Sequence, residues 1–285
     1  MIYLNEKELK ITKFPNGESC ISLEDVKEYL RNRKLKKYDA VVLCFESNED
    51  LINLMFLKRT IDFFNREAVL VLTYTPYSRM DRIEDKVFTL KFVSEFINNL
   101  GFKYVSLLEP HSDVSTALIN NSVNLEFCAE EMFKIKKLIL DEENISDEDF
   151  YFVFPDAGAQ KRYCKKVKDG KYLTGFKVRD FKTGRIKSLE IIGEKPEKPF
   201  KALIVDDLCS RGGTFMLTAE KLKEMGATDI RLLVAHCEDT IHEGDIFKTD
   251  LISKVYTTDS ILKNFDNEKL EVIRLNTDCE FGGIK

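Results

Sequence analysis

The sequence lacks tryptophan and has only three histidines among its 285 residues. Its seven cysteines are scattered, and no two form a C-x-x-C pair, which argues against a zinc ribbon or a disulfide framework. The G-x-x-x-x-G-K-[ST] loop of P-loop kinases is absent as well. With so few histidines and such dispersed cysteines, no nucleophilic triad is evident.

Long apolar runs are also missing. No stretch approaches the roughly 18 apolar residues that a membrane span requires. The first residues alternate apolar and charged side chains, unlike the continuous apolar core of a signal peptide. A net charge of −5 gives no overall basic surface for nucleic acid. We therefore expect a cytoplasmic protein that binds neither membranes nor nucleic acids.

Strand-like and helical runs alternate along the chain, which predicts an α/β fold with two parallel-sheet domains. A length prior of about 100–200 residues per domain agrees with two units. The polar stretch from Leu140 to Asp149 is the clearest change of composition, although a boundary near Phe127 fits equally well. We place the domains at residues 1–128 and 129–285. The runs in question are Ala40–Phe45, Leu51–Phe64, Ala68–Thr73, Leu90–Leu100 and Tyr104–Leu108, then Tyr151–Phe154, Lys201–Val205, Met216–Met225, Ile230–Ala235 and Lys254–Thr257.

The most informative segment lies between Lys201 and Ala227, where an apolar run ends in two aspartates, turns through a glycine pair and enters an amphipathic helix. Adjacent glycines let backbone N–H groups face an anion, and the helix that follows adds the positive end of its dipole. The aspartates can accept hydrogen bonds from vicinal hydroxyls. A ribose 5-phosphate group carries both features, whereas the alternative is an acidic strand end followed by an ordinary helix cap.

Two loops of the first half contain candidate phosphate-binding residues. In the segment Tyr74–Arg82, arginines flank Asp81, which is typical of a phosphate clamp but also of a surface ion pair. In the segment Glu109–Asp113, acids flank His111. This histidine can bind the water of a hydrated cation or stabilise phosphate charge, or it can simply face solvent.

Two segments of the second half complete the set. Asp156 follows a predicted strand and precedes small residues, which suits a carboxylate on the magnesium side of a phosphate site. The long stretch Gly175–Pro199 is basic in its first half and interrupted by glycines and prolines. It is interpreted as a lid, with an exposed β-hairpin as the alternative.

Taken together and in order, these motifs resemble those of ribose-phosphate pyrophosphokinases, the phosphoribosyl pyrophosphate synthetases. The resemblance spans roughly residues 14–260 and implies two phosphoribosyltransferase-like (type I) domains. It also implies a homo-oligomer whose active site lies between domains and is completed by a neighbouring subunit. The matching segments are Phe14–Glu18, Tyr74–Arg82, the Pro-His-Ser-Asp stretch around His111, Pro155–Gly158, Lys177–Arg179 and Asp206–Thr214.

The resemblance assigns roles to individual residues. It implies a flexible catalytic loop that closes over the triphosphate of ATP, and a turn that contacts adenine in the adjacent subunit. The implied roles are ATP binding for Phe14, Asn16, Glu18, Arg79 and Asp81, catalysis for Lys177, Arg179 and His111, magnesium binding for His111 and Asp156, and acceptor binding for Asp206, Asp207, Ser210, Arg211, Gly212, Gly213 and Thr214.

The reaction implied is a diphosphokinase reaction with ATP as co-substrate and Mg²⁺ as cofactor. The anomeric hydroxyl of a ribose 5-phosphate group attacks the β-phosphorus of ATP, receives the diphosphate and releases AMP. Such chemistry depends on alignment and charge neutralisation rather than on a protein nucleophile.

The sequence departs from the family pattern at several positions. Ser210 and Arg211 stand where the family usually has an aspartate and a threonine, and Met80 replaces a glutamine. An arginine beside the phosphate pocket favours a second phosphate, as in ADP-ribose. An ADP-ribose pyrophosphate synthetase of NAD metabolism is therefore one alternative. A phosphoribosyltransferase and an inactive regulatory homologue are the others.

Overall fold

The computed structural model describes residues 1–31, 37–82, 86–168, 170–179, 186–194, 196 and 199–275, and for residues 177–179 and 186–188 it describes the backbone alone. Internal contacts divide the described chain into two compact units, one built around Met1–Leu125 and one comprising Glu126–Arg274. Each unit is organised around its own sheet.

The sheet of the first unit has the strand order β2-β1-β5-β6-β7-β8. Strands β5 to β8 run parallel, while β1 pairs antiparallel with both β5 and β2. A separate antiparallel hairpin joins β3 to β4. The elements are β1 (Ile2–Leu4), β2 (Lys7–Glu8), β3 (Ile11–Lys13), β4 (Ser19–Ile21), α1 (Leu23–Arg31), β5 (Asp39–Leu43), α2 (Asn48–Phe63), β6 (Ala68–Leu72), α3 (Thr89–Leu100), β7 (Val105–Leu108), α4 (Asp113–Leu118) and β8 (Ser122–Leu125).

The predicted βαβαβ order of the first unit is present, and its packing follows from the sequence pattern. Every residue of β5, β6 and β7 is buried, as expected of parallel strands that are covered by helices. Helix α2 buries Leu54, Leu57 and Ile61, which recur at helical spacing and join the same core as β5 and β6.

A buried polar cluster fastens the start of β5 in this unit. The Asp39 carboxylate, with no exposed side-chain surface, accepts two hydrogen bonds from the Arg66 guanidinium, each of 2.8 Å. Asn5 Nδ2 donates to Asp39 Oδ1 at 2.9 Å, and Asn5 Oδ1 accepts from the Ala40 N–H at 2.9 Å. Burial of this carboxylate is tolerated because charge and hydrogen-bonding capacity are both met.

The sheet of the second unit has the order β11-β10-β9-β12-β13-β14-β15. Its pairs are parallel except for the antiparallel hairpin between β10 and β11. The elements are α5 (Phe127–Glu143), β9 (Phe150–Phe154), α6 (Ala157–Tyr163), β10 (Tyr172–Arg179), β11 (Ile186–Gly193), β12 (Phe200–Cys209), α7 (Gly213–Glu224), β13 (Ala227–Cys237), β14 (Lys254–Thr258) and β15 (Leu270–Ile273). Short 3₁₀ turns lie at Asp147–Asp149, Cys164–Lys166, Asp239–Glu243 and Ile246–Lys248.

The central strand β12 separates two hydrophobic layers. Ala202 and Ile204 pack into the core that includes α7, whereas Leu203 and Val205 pack into the core that includes α5 and α6. Because successive side chains of a strand point to opposite faces, this alternation places an apolar layer on each side of the sheet. The expectation of α/β units with parallel sheets is confirmed.

One expectation about a boundary needs correction. Strand β12 was expected to end at Val205, but its ladder with β13 continues until Cys209 pairs with Cys237. The backbone ladder does not depend on apolar side chains, so a strand can carry Asp206 and Asp207 where it reaches the edge of the core. In the segment Gly175–Pro199, the described backbone forms the arms of a β-hairpin, while residues 180–185 lie outside the described residues.

Within the described residues, the helices are too short or too polar to cross a bilayer. The cysteines that the structure describes are free thiols.

Asp39→Ala should lower the free energy of unfolding by about 3–5 kcal/mol, because it leaves the Arg66 guanidinium and the Asn5 amide without their buried partner. Glu67→Ala provides a matched control, since Glu67 pairs with Lys103 where both side chains are about half exposed, at 46% and 48%. It should change the free energy by less than about 1 kcal/mol. Urea denaturation of both variants measures the difference, and equal losses would contradict the assignment.

Candidate active site

The turn between β3 and β4 contains the predicted adenine-contacting residues. The Phe14 N–H donates to the Glu18 carbonyl and the Gly17 N–H to the Phe14 carbonyl, both at 2.9 Å. Gly17 has φ of +90°, a conformation that favours glycine. Asn16 Nδ2 donates to Glu18 Oε2 at 2.8 Å. This network closes a tight turn that leaves Phe14 54% exposed, so an aromatic ring is available for stacking.

The start of helix α2 anchors this turn and a second loop. Glu49 accepts hydrogen bonds from Lys13 Nζ at 2.6 Å and Ser19 Oγ at 2.9 Å, one on each arm of the hairpin. These two bonds lower the pKa of Glu49, the bond from Lys13 most. The neighbouring Asn48 hydrogen-bonds to the Tyr77 hydroxyl in the segment Tyr74–Arg82. Sequence reasoning missed both residues, since their signal is an ordinary acidic first helical turn.

Asp81 and His111 lie close enough in the first unit for the charge of His111 to act on the Asp81 carboxylate. Asp81 is 8% exposed and accepts a hydrogen bond from Arg82 Nε at 3.1 Å. Burial raises the pKa of Asp81, but the Ser112 hydroxyl, the Arg82 guanidinium and the charge of His111 together lower it below its usual range. The ion-pair alternative therefore applies to Asp81 and Arg82, while Arg79 is exposed on the same loop.

Unusual backbone conformations mark the loops that carry these residues. Glu109 follows β7 with φ of +40° and is 1% exposed. Tyr77 has φ of +61° in the segment Tyr74–Arg82. Non-glycine residues adopt this region at a cost, and such residues cluster at functional sites. The two loops that contain Asp81 and His111 are therefore shaped by their surroundings rather than by local preference.

Asp156 lies where β9 ends and acts as the N-cap of α6. Its Oδ1 accepts hydrogen bonds from the backbone N–H groups of Gly158 at 3.0 Å and Ala159 at 3.1 Å. The structure thus gives Asp156 a local role in helix capping, which sequence reasoning did not assign to it.

The second unit gathers further carboxylates beside Asp156. Asp207 is 7% exposed, and Arg162 Nη1 lies 3.7 Å from its Oδ2. Burial, followed by the negative charges of Asp207 and Asp156, raises the pKa of Asp206 well above its usual range. Negative charge at the carboxyl ends of β9 and β12 therefore has a high electrostatic cost, which a bound cation or a hydroxyl donor would reduce.

The loop after β12 turns into α7 through the predicted glycine pair. Gly212 is the N-cap and has φ of +78°, while a Cβ at Gly213 would have no neighbour within 4 Å. Ser210 Oγ lies 3.0 Å from Thr240 Oγ1, and Arg211 pairs with Glu243. The space beside Gly213, at the first turn of the twelve-residue helix α7, is therefore open. Backbone N–H groups of this turn can bind an anion there.

Lys177 and Arg179 lie on β10, where their backbones pair with Leu189 and Ile186 of β11. Their side chains lie outside the described part of the structure. A cavity of about 530 Å³ lies beside the same hairpin, and sequence reasoning did not predict it. Its lining includes Gln160, Thr174 and Phe176.

A further pair of polar residues was missed at the carboxyl ends of β13 and β14. His236 Nδ1 lies 2.8 Å from Ser260 Oγ, and each residue is 2% exposed. Thr258 Oγ1 donates to the Ala235 carbonyl at 2.6 Å in the same region. The only signal in the sequence was a histidine within an apolar strand, which more often indicates a core residue whose hydrogen bonds are satisfied.

Loops after parallel strands contain most of the candidate residues, which is the usual place of a ligand site in the phosphoribosyltransferase-like class of α/β folds. Comparison with solved structures agrees with this class. Phosphoribosylpyrophosphate synthetase from Mycobacterium smegmatis matches with a TM-score of 0.70 at 18% identity, covering 94% of this chain and 86% of that one. At this identity the match establishes the fold.

The amino-acid sequence is also similar to those of curated proteins. The ribose-phosphate pyrophosphokinase of Mycoplasmopsis pulmonis is 26% identical over 279 residues, 93% of this chain and 81% of its own length. Its namesake from Thermosipho africanus is 25% identical, covering 93% and 82%. No family model matches. The chain is therefore a relative of the ribose-phosphate pyrophosphokinases, and the resemblance drawn from the motifs is confirmed, as is the expectation of an enzyme of the diphosphotransferase class.

Asp206→Asn should stabilise the ligand-free protein increasingly as pH rises. The folded pKa of Asp206 is raised, so the wild type loses stability as pH rises from the ordinary carboxyl range through that raised pKa, whereas the amide does not titrate. Thermal unfolding across a pH series measures the difference in Tm. Glu220→Gln, which removes an exposed carboxylate of α7, is the control and should show no such trend. A difference that shrinks with rising pH would refute the assigned cause.

Proposed function

We propose that the chain is a Mg²⁺-dependent ribose-phosphate diphosphokinase. It transfers the β,γ-diphosphate of ATP to the anomeric hydroxyl of a ribose 5-phosphate group and releases AMP. The observation that carries the proposal is the arrangement in the second unit, where Asp206 and Asp207 lead directly into a glycine turn at the start of α7. Carboxylates that can bind sugar hydroxyls and N–H groups that can bind a phosphate are thus five to seven residues apart, at the carboxyl end of the central strand β12.

The first unit supports ATP binding. The exposed Phe14 ring provides a stacking surface for adenine, and the exposed Arg79 guanidinium provides positive charge for phosphates. Asp81 remains ionised because Ser112 and Arg82 favour its charged form. In this proposal it accepts hydrogen bonds from the nucleotide, and the fixed turn holding Phe14 limits the entropy lost on binding.

The residues of the second unit fit a magnesium ion. Mg²⁺ prefers oxygen ligands, keeps several waters and often takes only one or two carboxylates in addition to substrate phosphates. Among the described residues, no group of three histidine, cysteine or acidic side chains forms a complete metal cage. In the second unit, Asp156 is the carboxylate we assign to the ion. His111, in the first unit, is proposed separately as a residue that binds the water of a hydrated cation or stabilises phosphate charge. When bound, the ion supplies charge neutralisation for the transferring diphosphate.

The protein residues contribute alignment and charge. Asp206 and Asp207 orient the ribose hydroxyls, so that the anomeric oxygen is directed toward the β-phosphorus. Burial and the neighbouring carboxylates raise the pKa of Asp206, and a ribose hydroxyl that donates to its carboxylate would lower that pKa again. Lys177 and Arg179 stabilise the negative charge that develops on the transferring group, as cations do in phosphoryl transfer generally.

A second acceptor is favoured by one observation. Arg211 is 70% exposed at the phosphate loop, where its guanidinium can reach a phosphate beyond the first. The same chemistry on ADP-ribose would therefore make the chain an ADP-ribose pyrophosphate synthetase of NAD metabolism. Free ribose 5-phosphate remains the first candidate, since the relatives are named ribose-phosphate pyrophosphokinases.

The resemblance also implies a homo-oligomer that acts in the cytoplasm, and both belong to this proposal. Light scattering during gel filtration determines the oligomeric state of the purified protein. A monomer with full activity would contradict a shared active site.

AMP release is the direct test of the proposed reaction. Purified protein with ATP and Mg²⁺ should release AMP when either ribose 5-phosphate or ADP-ribose is added, and mass spectrometry should find the acceptor with an added diphosphate. Omission of Mg²⁺ should abolish release. The absence of product with both acceptors would refute the proposal and favour a phosphoribosyltransferase or an inactive homologue.

Lys177→Ala and Arg179→Ala should each lower kcat by about two orders of magnitude or more, because each removes a cation that acts in the transition state. Tm should change little, since these residues belong to an edge hairpin and not to a core. Lys221→Ala is a matched control, as Lys221 forms an exposed pair with Glu224 near the end of α7. Wild-type turnover in both variants would exclude the catalytic assignment.

A further inference from the structure

The segment that follows β13 packs against the phosphate loop at backbone distance. A Cβ at Gly244 would lie 2.0 Å from the Arg211 carbonyl oxygen, which only glycine can permit. A Cβ at Gly212 would lie 2.2 Å from Ile246 Cδ1. The 3₁₀ turns at Asp239–Glu243 and Ile246–Lys248 therefore form a wall behind the loop, and we call the stretch from Glu238 to Lys248 the bracing segment.

Hydrogen bonds between backbone groups and between side chains connect this bracing segment to the phosphate loop. The Glu238 N–H donates to the Cys209 carbonyl at 2.8 Å, which extends the ladder between β12 and β13. Ser210 Oγ lies 3.0 Å from Thr240 Oγ1, and Thr240 Oγ1 donates to Glu238 Oε2 at 3.2 Å. The backbone position of Arg211 is thereby determined by the bracing segment as well as by its own turn.

The side chain of Arg211 is held differently from its backbone. Its Nη2 donates to Glu243 Oε2 at 2.5 Å, with the two side chains 70% and 57% exposed. Exposed ion pairs contribute only about 0–1 kcal/mol, so this pair exchanges readily. A phosphate offers a guanidinium a stronger, two-pronged partner than an exposed carboxylate does. The backbone is fixed while the guanidinium is free to exchange partners.

We propose that Glu243 is a specificity residue that holds Arg211 ready for an acceptor whose 5-phosphate carries a second phosphate, that is, a ribose 5-diphosphate end. This inference rests on the proposed function, since it places the 5-phosphate at the start of α7. An acceptor with a single phosphate leaves Arg211 with Glu243. An acceptor with a diphosphate takes the guanidinium from Glu243 and gains one charge-assisted contact.

Acceptor selectivity of three variants tests the inference, with ADP-ribose and ribose 5-phosphate as probes. Arg211→Gln should raise the KM for ADP-ribose about tenfold or more, because a charge-assisted bond to phosphate is lost. Glu243→Gln should lower the KM for ADP-ribose about threefold, because Arg211 no longer has to leave a carboxylate. Glu243→Gln should leave the KM for ribose 5-phosphate within about twofold. Glu224→Gln, which removes an exposed acid paired with Lys221, is the matched control.

The double variant Arg211→Gln, Glu243→Gln distinguishes exchange from a general field effect. If Glu243 acts through Arg211, adding Glu243→Gln to Arg211→Gln should change neither KM. Equal lowering of both KM values by Glu243→Gln would overturn the inference, because removal of any acid near an anion site has that result.

Calorimetric binding separates failure of this inference from failure of the proposed function. The Kd for ribose 5-phosphate divided by the Kd for ADP-ribose, measured without ATP, should rise in Glu243→Gln. This is the direction expected for the corresponding ratio of KM values. A protein that releases no AMP refutes the diphosphokinase reaction, yet its binding ratio still decides the role of Glu243. An unchanged ratio in both Arg211→Gln and Glu243→Gln would overturn that role.

Discussion

The ladder between β12 and β13 is the constraint on which the candidate acceptor site depends. It continues past the apolar part of β12 and through Asp206 until Cys209 pairs with Cys237, and the Glu238 N–H extends it by one more bond. Backbone hydrogen bonds along this ladder fix the carboxylates, the phosphate loop and the bracing segment in one frame. Charged side chains can therefore be held at close range, with the cost visible in the raised pKa of Asp206.

In the first unit, the N-terminal turn of α2 holds the loops that carry candidate binding residues. The opening turn of α2 holds the hairpin of Phe14 through Glu49 and the loop of Tyr77 through Asn48. Loops are normally the mobile part of an α/β fold, and binding residues on them need external support. In both units, side chains outside the predicted ligand-binding set provide this support, Glu49 and Asn48 in the first unit and Thr240 and Glu238 in the second.

Arg82 and Arg211 each form an ion pair in a candidate binding loop, but the two pairs differ in burial. Arg82 is engaged by Asp81, a residue that is nearly buried, whereas Arg211 is engaged by the exposed Glu243. A pair with a buried member is costly to break, and a pair between exposed members is not. The same residue type therefore serves as a structural partner in one loop and as an exchangeable contact in the other. Sequence patterns treat these two arginines alike, since both neighbour an acid or a glycine turn.

The sequence by itself determined the alternation of strands and helices, the parallel core of both sheets and the resemblance to the ribose-phosphate pyrophosphokinases, because apolar periodicity and ordered motifs are local properties. The proximity of Asp81 to His111, whose charge helps to lower the pKa of Asp81, was not predicted from the sequence. Tertiary structure decided that β12 continues through the aspartates, that Asp156 caps α6, that Glu49 holds the Phe14 turn and that Glu243 pairs with Arg211. The contacts of Glu49 and Glu243 join residues about 30 or more positions apart, where no spacing rule applies, so only the folded backbone brings them within hydrogen-bonding distance.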